Sequence, residues 1–198
     1  MKGNFIRGIY SGMLVSFGGI IFLSVENRYL GAFLFSFALL TILVCGFDLF
    51  TGKVGYARTL DDAKRLGIML LGNFVGRGII AELAHAGMDI SSAAVVAKKL
   101  SHTPLESFIL AMFCGVMMYM AVDCFKRSQK NTLFVILPIM IFMLAGFEHS
   151  IANTFYILFA REYTAKAFGY LALMVVGNGV GSLLFSLSQP FIAPISTK

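Results

Sequence analysis

The stretch Gly146-Phe147-Glu148-His149-Ser150-Ile151-Ala152-Asn153 places a carboxylate, an imidazole, a hydroxyl and a carboxamide in the middle of an apolar run. The run extends from Leu133 to about Ala160, and a helix of ~20 residues is long enough to cross a bilayer. A charge at the bilayer centre costs ~2.5–3.5 kcal/mol unless it faces a partner or a water-filled cavity. Two interpretations follow: a helix pair joined by satisfied polar groups, or a transport path that contains His149. The transport path through His149 is the more specific of the two hypotheses.

The composition of the whole chain indicates an integral membrane protein. Of its 198 residues, 58% are hydrophobic and 13% are charged, and the mean hydropathy is +0.83. A soluble domain of this size does not need so much apolar surface. The net charge of +6 is spread over the segments between apolar runs, which argues against a nucleic-acid partner. The cysteines and histidines show no metal-ligand spacing, so we expect no metal and no cofactor.

The apolar runs predict six membrane spans, of which two are interrupted helices. The second span ends at Asp48-Leu49-Phe50-Thr51-Gly52, which is still apolar enough to lie in the membrane, and the fifth is too long for one straight crossing. An interrupted helix survives in a membrane only where the freed backbone groups face protein or a cavity. The predicted spans are approximately Phe5–Val25, Leu30–Phe47, Leu66–Leu83, Glu106–Phe125, Leu133–Ala160 and Phe168–Leu187.

The distribution of Lys and Arg predicts the orientation in a cell (inner or plasma) membrane. With the N-terminus inside, ten basic residues fall on the inner side and five on the outer side. This asymmetry favours a multi-pass protein with both termini in the cytoplasm. The inner set is Lys2, Arg7, Lys53, Arg58, Lys64, Arg65, Lys126, Arg127, Lys130 and Lys198, and the outer set is Arg28, Lys98, Lys99, Arg161 and Lys166.

An internal repeat relates the two halves of the chain. Gly46-Phe47-Asp48 recurs as Gly146-Phe147-Glu148, and Gly72-Asn73-Phe74-Val75-Gly76 recurs as Gly177-Asn178-Gly179-Val180-Gly181. The matched order predicts two halves of three spans, about 5–100 and 104–188, in one transmembrane channel domain covering 1–198. Because each half has an odd number of spans, the halves are inverted, as in many transporters, whose substrate sites lie near the midplane.

The second repeated motif contains both packing and polar residues. Its glycines predict close helix packing. The asparagines between them, Asn73 and Asn178, can hydrogen-bond backbone groups freed by a helix break, and we place Asn178 near the path. Arg77 and Glu82 of the third span are interpreted as subunit or interface contacts, not as substrate ligands.

Together these motifs resemble the formate/nitrite transporter family from about Phe5 to Leu187. The run from Phe147 to Asn153 is the most specific piece, and the run from Asp48 to Lys53 supports it. The resemblance implies an aquaporin-like fold, a homopentamer in the lipid bilayer with one pore per subunit, and passage of small monovalent anions or their acids.

Residue roles follow from the same resemblance. Leu49 and Phe50 match constriction residues of the loop that breaks the second helix, and Thr51 matches a threonine that faces the central histidine, His149. Lys99 matches a basic residue at the vestibule mouth. Gly115 stands where many members have a pore asparagine, so we expect a pore that lacks one amide. Further apolar constriction residues are implied at Phe35, Leu39 and Phe142.

The expected function is a channel or transporter for formate or a similar small monovalent anion, with protons as a second partner. A dehydrated anion crosses an apolar constriction only at high cost, whereas the protonated weak acid crosses more easily. Nitrite and hydrosulfide are alternatives within the class, and a neutral-solute pore of aquaporin type is a second class. A third class is a membrane enzyme that uses His149 for catalysis. This alternative lacks a second catalytic group, because on a helix the Glu148 side chain would point ~100° away from that of His149. We therefore do not expect an enzyme.

Overall fold

The computed structural model describes residues 1–189, so Lys198, which the sequence assigns to the inner side, lies outside them. The described residues form nine α-helices and a 3₁₀ turn and contain no β-strand. The helices are α1 (Lys2–Ser24), α2 (Arg28–Cys45), α3 (Phe50–Lys53), α4 (Leu60–Gly87), α5 (Ala93–Leu100), α6 (Pro104–Arg127), α7 (Leu133–Ala145), α8 (Ser150–Phe159) and α9 (Ala165–Ser188), with the 3₁₀ turn at Val54–Tyr56.

The predicted class, an all-α membrane protein with six spans, is confirmed. Five helices of the described part are long and apolar enough to cross a membrane, and the number is six when α7 and α8, bent by 54° at their break, are counted as one span. Both predicted interruptions are present, since helix is absent between Cys45 and Phe50 and between Ala145 and Ser150. The sequence analysis missed α5, which is only 8 residues long and lies in the loop between two spans.

The helix ends follow local sequence rules. Gly46 and Gly146 end α2 and α7 with φ angles of +69° and +76°, a left-handed conformation that glycine adopts without steric cost. Capping boxes start α4 at Thr59 and α6 at Thr103, where the threonine and a carboxylate three residues later satisfy the free backbone N–H groups. The repeated glycine therefore fixes where each interrupted span stops.

Glycines bring the long helices into close contact in matching pairs, α1 with α4 and α6 with α9. A Cβ atom on Gly76 would lie 2.1 Å from the Ile9 carbonyl oxygen, and one on Gly181 would lie 2.0 Å from the Met112 carbonyl oxygen. Both distances are too short for any side chain. The packing role predicted for these glycines is confirmed, and it operates within one subunit.

Gly115 belongs to the same packing system, whereas the expectation that the pore lacks one amide at this position stays a prediction. A Cβ atom at this position would lie 2.2 Å from the Asn178 carbonyl oxygen of α9. In the first half, a Cβ atom added to Gly12 would likewise lie 2.3 Å from the Asn73 carbonyl oxygen. We therefore assign Gly115 to the contact between α6 and α9.

The interpretation of Arg77 as an interface contact is wrong. Its side chain is fully buried inside the subunit, on the face of α4 that also carries Asn73. Glu82 is exposed and forms an ion pair with Arg161, with 3.0 Å between the Oε2 and Nη2 atoms. The spacing of five residues along α4 separates the two side chains onto different faces.

Replacing Gly76 with Ala should destabilise the protein by about 1–3 kcal/mol, because the added methyl group meets backbone that cannot move without separating α1 from α4. Gly78→Ala on the same helix is the matched control, since nothing lies within 4 Å of its Cβ position. The control should be neutral or more stable by up to about 1 kcal/mol. Thermal unfolding in detergent, followed by circular dichroism, measures both. Equal melting temperatures for the two variants would contradict the packing role.

Candidate functional site

The two helix breaks are held by two asparagines in the same way. At the first break, Asn73 Oδ1 accepts a hydrogen bond of 2.9 Å from the Phe50 backbone N–H, which starts α3. The Asn73 Nδ2 group donates to the carbonyl oxygens of Gly8 and Asp48, each at 2.9 Å. One carboxamide therefore satisfies backbone groups on both sides of the break and on α1.

Asn178 repeats this arrangement at the second break. Its Oδ1 atom accepts from the Ser150 backbone N–H at 2.9 Å, and its Nδ2 group donates to the Ala111 and Glu148 carbonyl oxygens, each at 2.8 Å. The predicted hydrogen bonds to freed backbone groups are thus present. Both amide hydrogens of Asn178 are in use, so its side chain has no free donor for a substrate, and its assignment to the path stays a prediction.

His149 and Thr51 meet where the two breaks approach each other. The His149 Nε2 atom lies 3.0 Å from Thr51 Oγ1, and both side chains are buried. His149 is also the N-cap of α8, because its Nδ1 atom accepts a 3.0 Å hydrogen bond from the Ala152 backbone N–H. The contact that the resemblance implied between these two residues is present in the structure.

The N-cap bond decides the tautomer of His149. A backbone N–H only donates, so Nδ1 must be the acceptor and the ring hydrogen must be on Nε2. Nε2–H then donates to Thr51 Oγ1, and the Thr51 hydroxyl hydrogen is left to donate to a third group. If His149 were protonated to the imidazolium, its Nδ1–H would point toward the Ala152 N–H, and the N-cap hydrogen bond would be lost.

Apolar side chains surround this contact. The Phe142 ring stacks on the His149 ring with 5.4 Å between centroids, and the Phe35 ring meets Phe142 edge-on at 6.0 Å. Leu39, Leu49 and Phe50 are also buried. The residues for which the resemblance implied constriction roles therefore all lie in the protein interior, and their role in a constriction stays a prediction.

A cavity lies at each break. The larger one, of about 320 Å³, is lined by Phe142, His149 and Tyr156 together with the basic residues Arg28, Lys98, Lys99 and His102. The smaller one, of about 210 Å³, is lined by Leu39 and Leu49 together with Lys53 and Lys126. Phe35, Phe50 and Thr51 line neither cavity. Each cavity therefore combines basic residues with apolar residues of the candidate path.

Lys99 lies in the larger cavity but is already paired. Its ammonium donates to Glu148 Oε2 at 2.7 Å, and only 15% of its side chain is exposed. His102 Nδ1 lies 3.2 Å from the other oxygen, Glu148 Oε1, although without hydrogen-bond geometry. Asn153 Nδ2 also donates to Glu148 Oε2. A fully buried carboxylate is thus compensated by a lysine and an amide, and a histidine lies beside it.

The first break contains a corresponding cluster around Asp48. This buried carboxylate accepts hydrogen bonds of 3.2 Å from Asn4 Nδ2 and from Arg7 Nε, and it pairs with Lys53. In the sequence, Asp48 and Glu148 mark the repeat and Glu148 is a carboxylate inside an apolar run, but neither cluster of partners was predicted. The available signal was the position of a carboxylate inside an apolar run, since a buried charge requires a partner.

A helical membrane protein with two interrupted spans and a polar contact where they meet belongs to the class of channels and transporters. Residues 1–191 match the sequence profile of a protein family described as "Formate/nitrite transporter". This chain belongs to the formate/nitrite transporter family.

Individual relatives share only about a quarter of the aligned residues with this chain. The chain is 25% identical over 184 residues to the formate channel FocA of Haemophilus influenzae, covering 78% of this chain and 65% of that protein. It is 26% identical over 198 residues to the formate channel FocA of Escherichia coli K12, covering 83% of this chain and 70% of that protein. It is 27% identical to the formate-nitrite transporter of Plasmodium malariae, over 88% of this chain and 69% of that protein. The chain thus spans about two thirds of the length of these relatives.

Solved structures share the fold. One, described as an FNT family ion channel, superposes with a TM-score of 0.81 at 21% identity, covering 97% of this chain and 89% of the other. A second, described as a pentameric formate channel with formate bound, gives a TM-score of 0.80 at 20% identity and 95% coverage of both chains. At these identities the likeness establishes the fold.

Replacing Asn178 with Ala should lower the free energy of unfolding by at least about 3 kcal/mol, because three backbone groups in the membrane interior lose their partner, each worth about 1–3 kcal/mol. Asn131→Ala, which removes one hydrogen bond to Leu133 N–H at an exposed helix start, is the control. Thermal unfolding and size-exclusion chromatography in detergent measure the difference. An Asn178→Ala protein as stable as Asn131→Ala would refute the role given to this amide.

Proposed function

We propose that this protein is a transmembrane channel for formate or a similar small monovalent anion, and that passage is linked to a proton. The observation that carries the proposal is the Thr51–His149 contact at the junction of two helix breaks, with a basic cavity at each break. Family membership and relatives named formate channels support it.

The basic cavity walls draw the anion toward the centre of the membrane. Lys99 uses one of its three N–H donors for Glu148 and keeps two for an anion, and Lys98 and Arg28 line the same cavity. The net charge of +6 adds a positive field that raises the local anion concentration. Lys99 therefore acts at the mouth of the path.

The permeating species crosses the apolar centre as the neutral acid. Phe35, Leu39, Leu49, Phe50 and Phe142 replace water with hydrocarbon, which raises the pKa of a carboxylic acid and favours its protonated form. His149 stays neutral and orients Thr51, whose hydroxyl donates to the passing solute. The carboxylate therefore takes its proton from a hydronium ion in the cavity, which is left as water, and His149 is a positioning residue.

The same proposal covers the assembly and the orientation. The chain forms a homopentamer in a cell membrane, in which each subunit has its own path, and both termini are cytoplasmic. A solved structure described as pentameric supports the assembly, and the excess of basic residues on one side supports the orientation. Native mass spectrometry counts the subunits, and labelling of a cysteine introduced before Lys2 in whole cells reports the side of the N-terminus.

Uptake into proteoliposomes tests the substrate. We expect formate uptake above that of empty liposomes, and a panel of nitrite, hydrosulfide, acetate and lactate ranks the alternatives. Glycerol and urea swelling tests a neutral-solute pore. Swelling with glycerol but no uptake of any anion would reject the proposal.

Replacing His149 with Asn should lower formate flux by about tenfold or more, which corresponds to ~1.4 kcal/mol on the barrier. Asn retains an N-cap acceptor for Ala152 N–H but removes Nε2–H, so folding is preserved while Thr51 loses its orienting partner. His85→Asn, on the exposed last turn of α4, is the control. Flux of His149→Asn equal to wild type, at equal protein incorporation, would contradict the assignment.

Formate uptake at fixed total formate should accelerate as the external pH falls from 8 to 5. The rise should begin well above the pKa of a free carboxylic acid, about 4, because only the protonated fraction crosses and the apolar surroundings increase that fraction. Initial rates with and without a clamped membrane potential provide the measurement. Flux that follows voltage and ignores pH would mean that the bare anion moves, and the neutral-acid step would be abandoned.

A further inference from the structure

Arg77 is a charged residue in the protein interior that the path described above does not use. It lies on the buried face of α4, one helical turn beyond Asn73, and its side chain is 0% exposed. None of its three guanidinium nitrogens has a hydrogen-bond partner among residues 1–189. A guanidinium offers five N–H donors, accepts no hydrogen bond and keeps its charge in proteins. Such a group requires an acceptor that carries negative charge.

The buried carboxylates of the described residues do not fill this role. All three form ion pairs with other cations: Asp48 with Arg7 and Lys53, Asp123 with Arg127, and Glu148 with Lys99. The acceptor for Arg77 is therefore not a carboxylate of residues 1–189.

A second buried donor lies near Arg77. The Tyr156 hydroxyl of α8 is buried and has no hydrogen-bond partner in the described part of the chain. Helix α8, which carries Tyr156, packs against α4, which carries Arg77, and both side chains are buried. Tyr156 also lines the larger cavity together with His149. It therefore connects the cavity to Arg77.

We propose that Arg77 and Tyr156 form an internal binding site for a small monovalent anion, reached from the larger cavity beside His149. One guanidinium charge matches one negative charge, and the full burial of Arg77 limits the size of the anion. Charge-assisted hydrogen bonds from Arg77, with the Tyr156 hydroxyl as an added donor, hold it. This proposal depends on the proposed function only in taking formate as the anion. The anion leaves the site across the apolar centre as the neutral acid.

Thermal unfolding of the purified protein in detergent tests the site. Sodium formate or sodium chloride replaces sodium gluconate at constant ionic strength, since gluconate is too large to enter. A ligand that binds only the folded state raises the melting temperature by about 5–10 °C at a concentration of ~100 Kd. We expect this rise with formate, and a rise with chloride alone would also support the site, with a resident halide as its occupant.

Three variants assign the effect to these residues. Arg77→Met should melt no lower than wild type in gluconate, because it removes an unpaired buried charge, and its melting temperature should no longer depend on the anion. Tyr156→Phe should need about tenfold more formate for the same shift, since it removes one hydrogen bond to an ion. Arg161→Met, which removes an exposed cation on the surface, should behave as wild type. If Arg77→Met does not fold, Tyr156→Phe carries the test.

The site and the proposed function fail in different ways. Equal wild-type melting temperatures in formate, chloride and gluconate would overturn the site, as would an undiminished shift in Arg77→Met or, where that variant does not fold, in Tyr156→Phe. Formate uptake by wild-type proteoliposomes would then still support the channel. An anion-dependent melting temperature in a protein that takes up no formate would support the site and reject the formate channel.

Discussion

Two carboxamides hold the backbone where two membrane helices are interrupted, and the rest of the structure depends on them. A helix that stops inside a bilayer leaves N–H and C=O groups without partners, and lipid offers none. Asn73 and Asn178 each bind one N–H and one carbonyl group at their break and a second carbonyl group on a neighbouring helix. The chain can therefore stop, turn at a left-handed glycine and start a new helix in the protein interior.

The polar centre of the molecule follows from these breaks. Because α8 starts in the protein interior, its first free N–H groups need an acceptor, and His149 supplies one through Nδ1. The same bond directs Nε2–H toward Thr51, so the need to cap a helix also sets the protonation state of the imidazole. The two buried carboxylates at the breaks are compensated locally, whereas Arg77 has no such partner among the described residues. The centre thus carries a fixed positive charge beside a neutral histidine.

Much of the architecture could be predicted from the sequence because it depends on local rules. Apolar runs set the number of spans, and Gly46 and Gly146 mark the breaks because glycine adopts the left-handed conformation. The asparagines of the repeated motif were predicted to bind freed backbone groups, since a buried amide needs hydrogen-bond partners and a helix break supplies them. His149 and Thr51 were paired through resemblance to the family. Helix α5 escaped prediction because eight residues with two lysines resemble a loop.

Only the tertiary structure decided which side chains face each other. The sequence by itself determined six spans, two interruptions and an inverted repeat, because hydropathy and glycine act over a few residues. It did not separate Arg77, which is buried, from Glu82, which is exposed, because apolar residues occupy the whole circumference of α4. It also did not show that Gly115 meets the backbone of α9 or that Lys99 reaches Glu148. These contacts join residues 49 and 63 positions apart, and such distances in sequence are closed only when the helices pack.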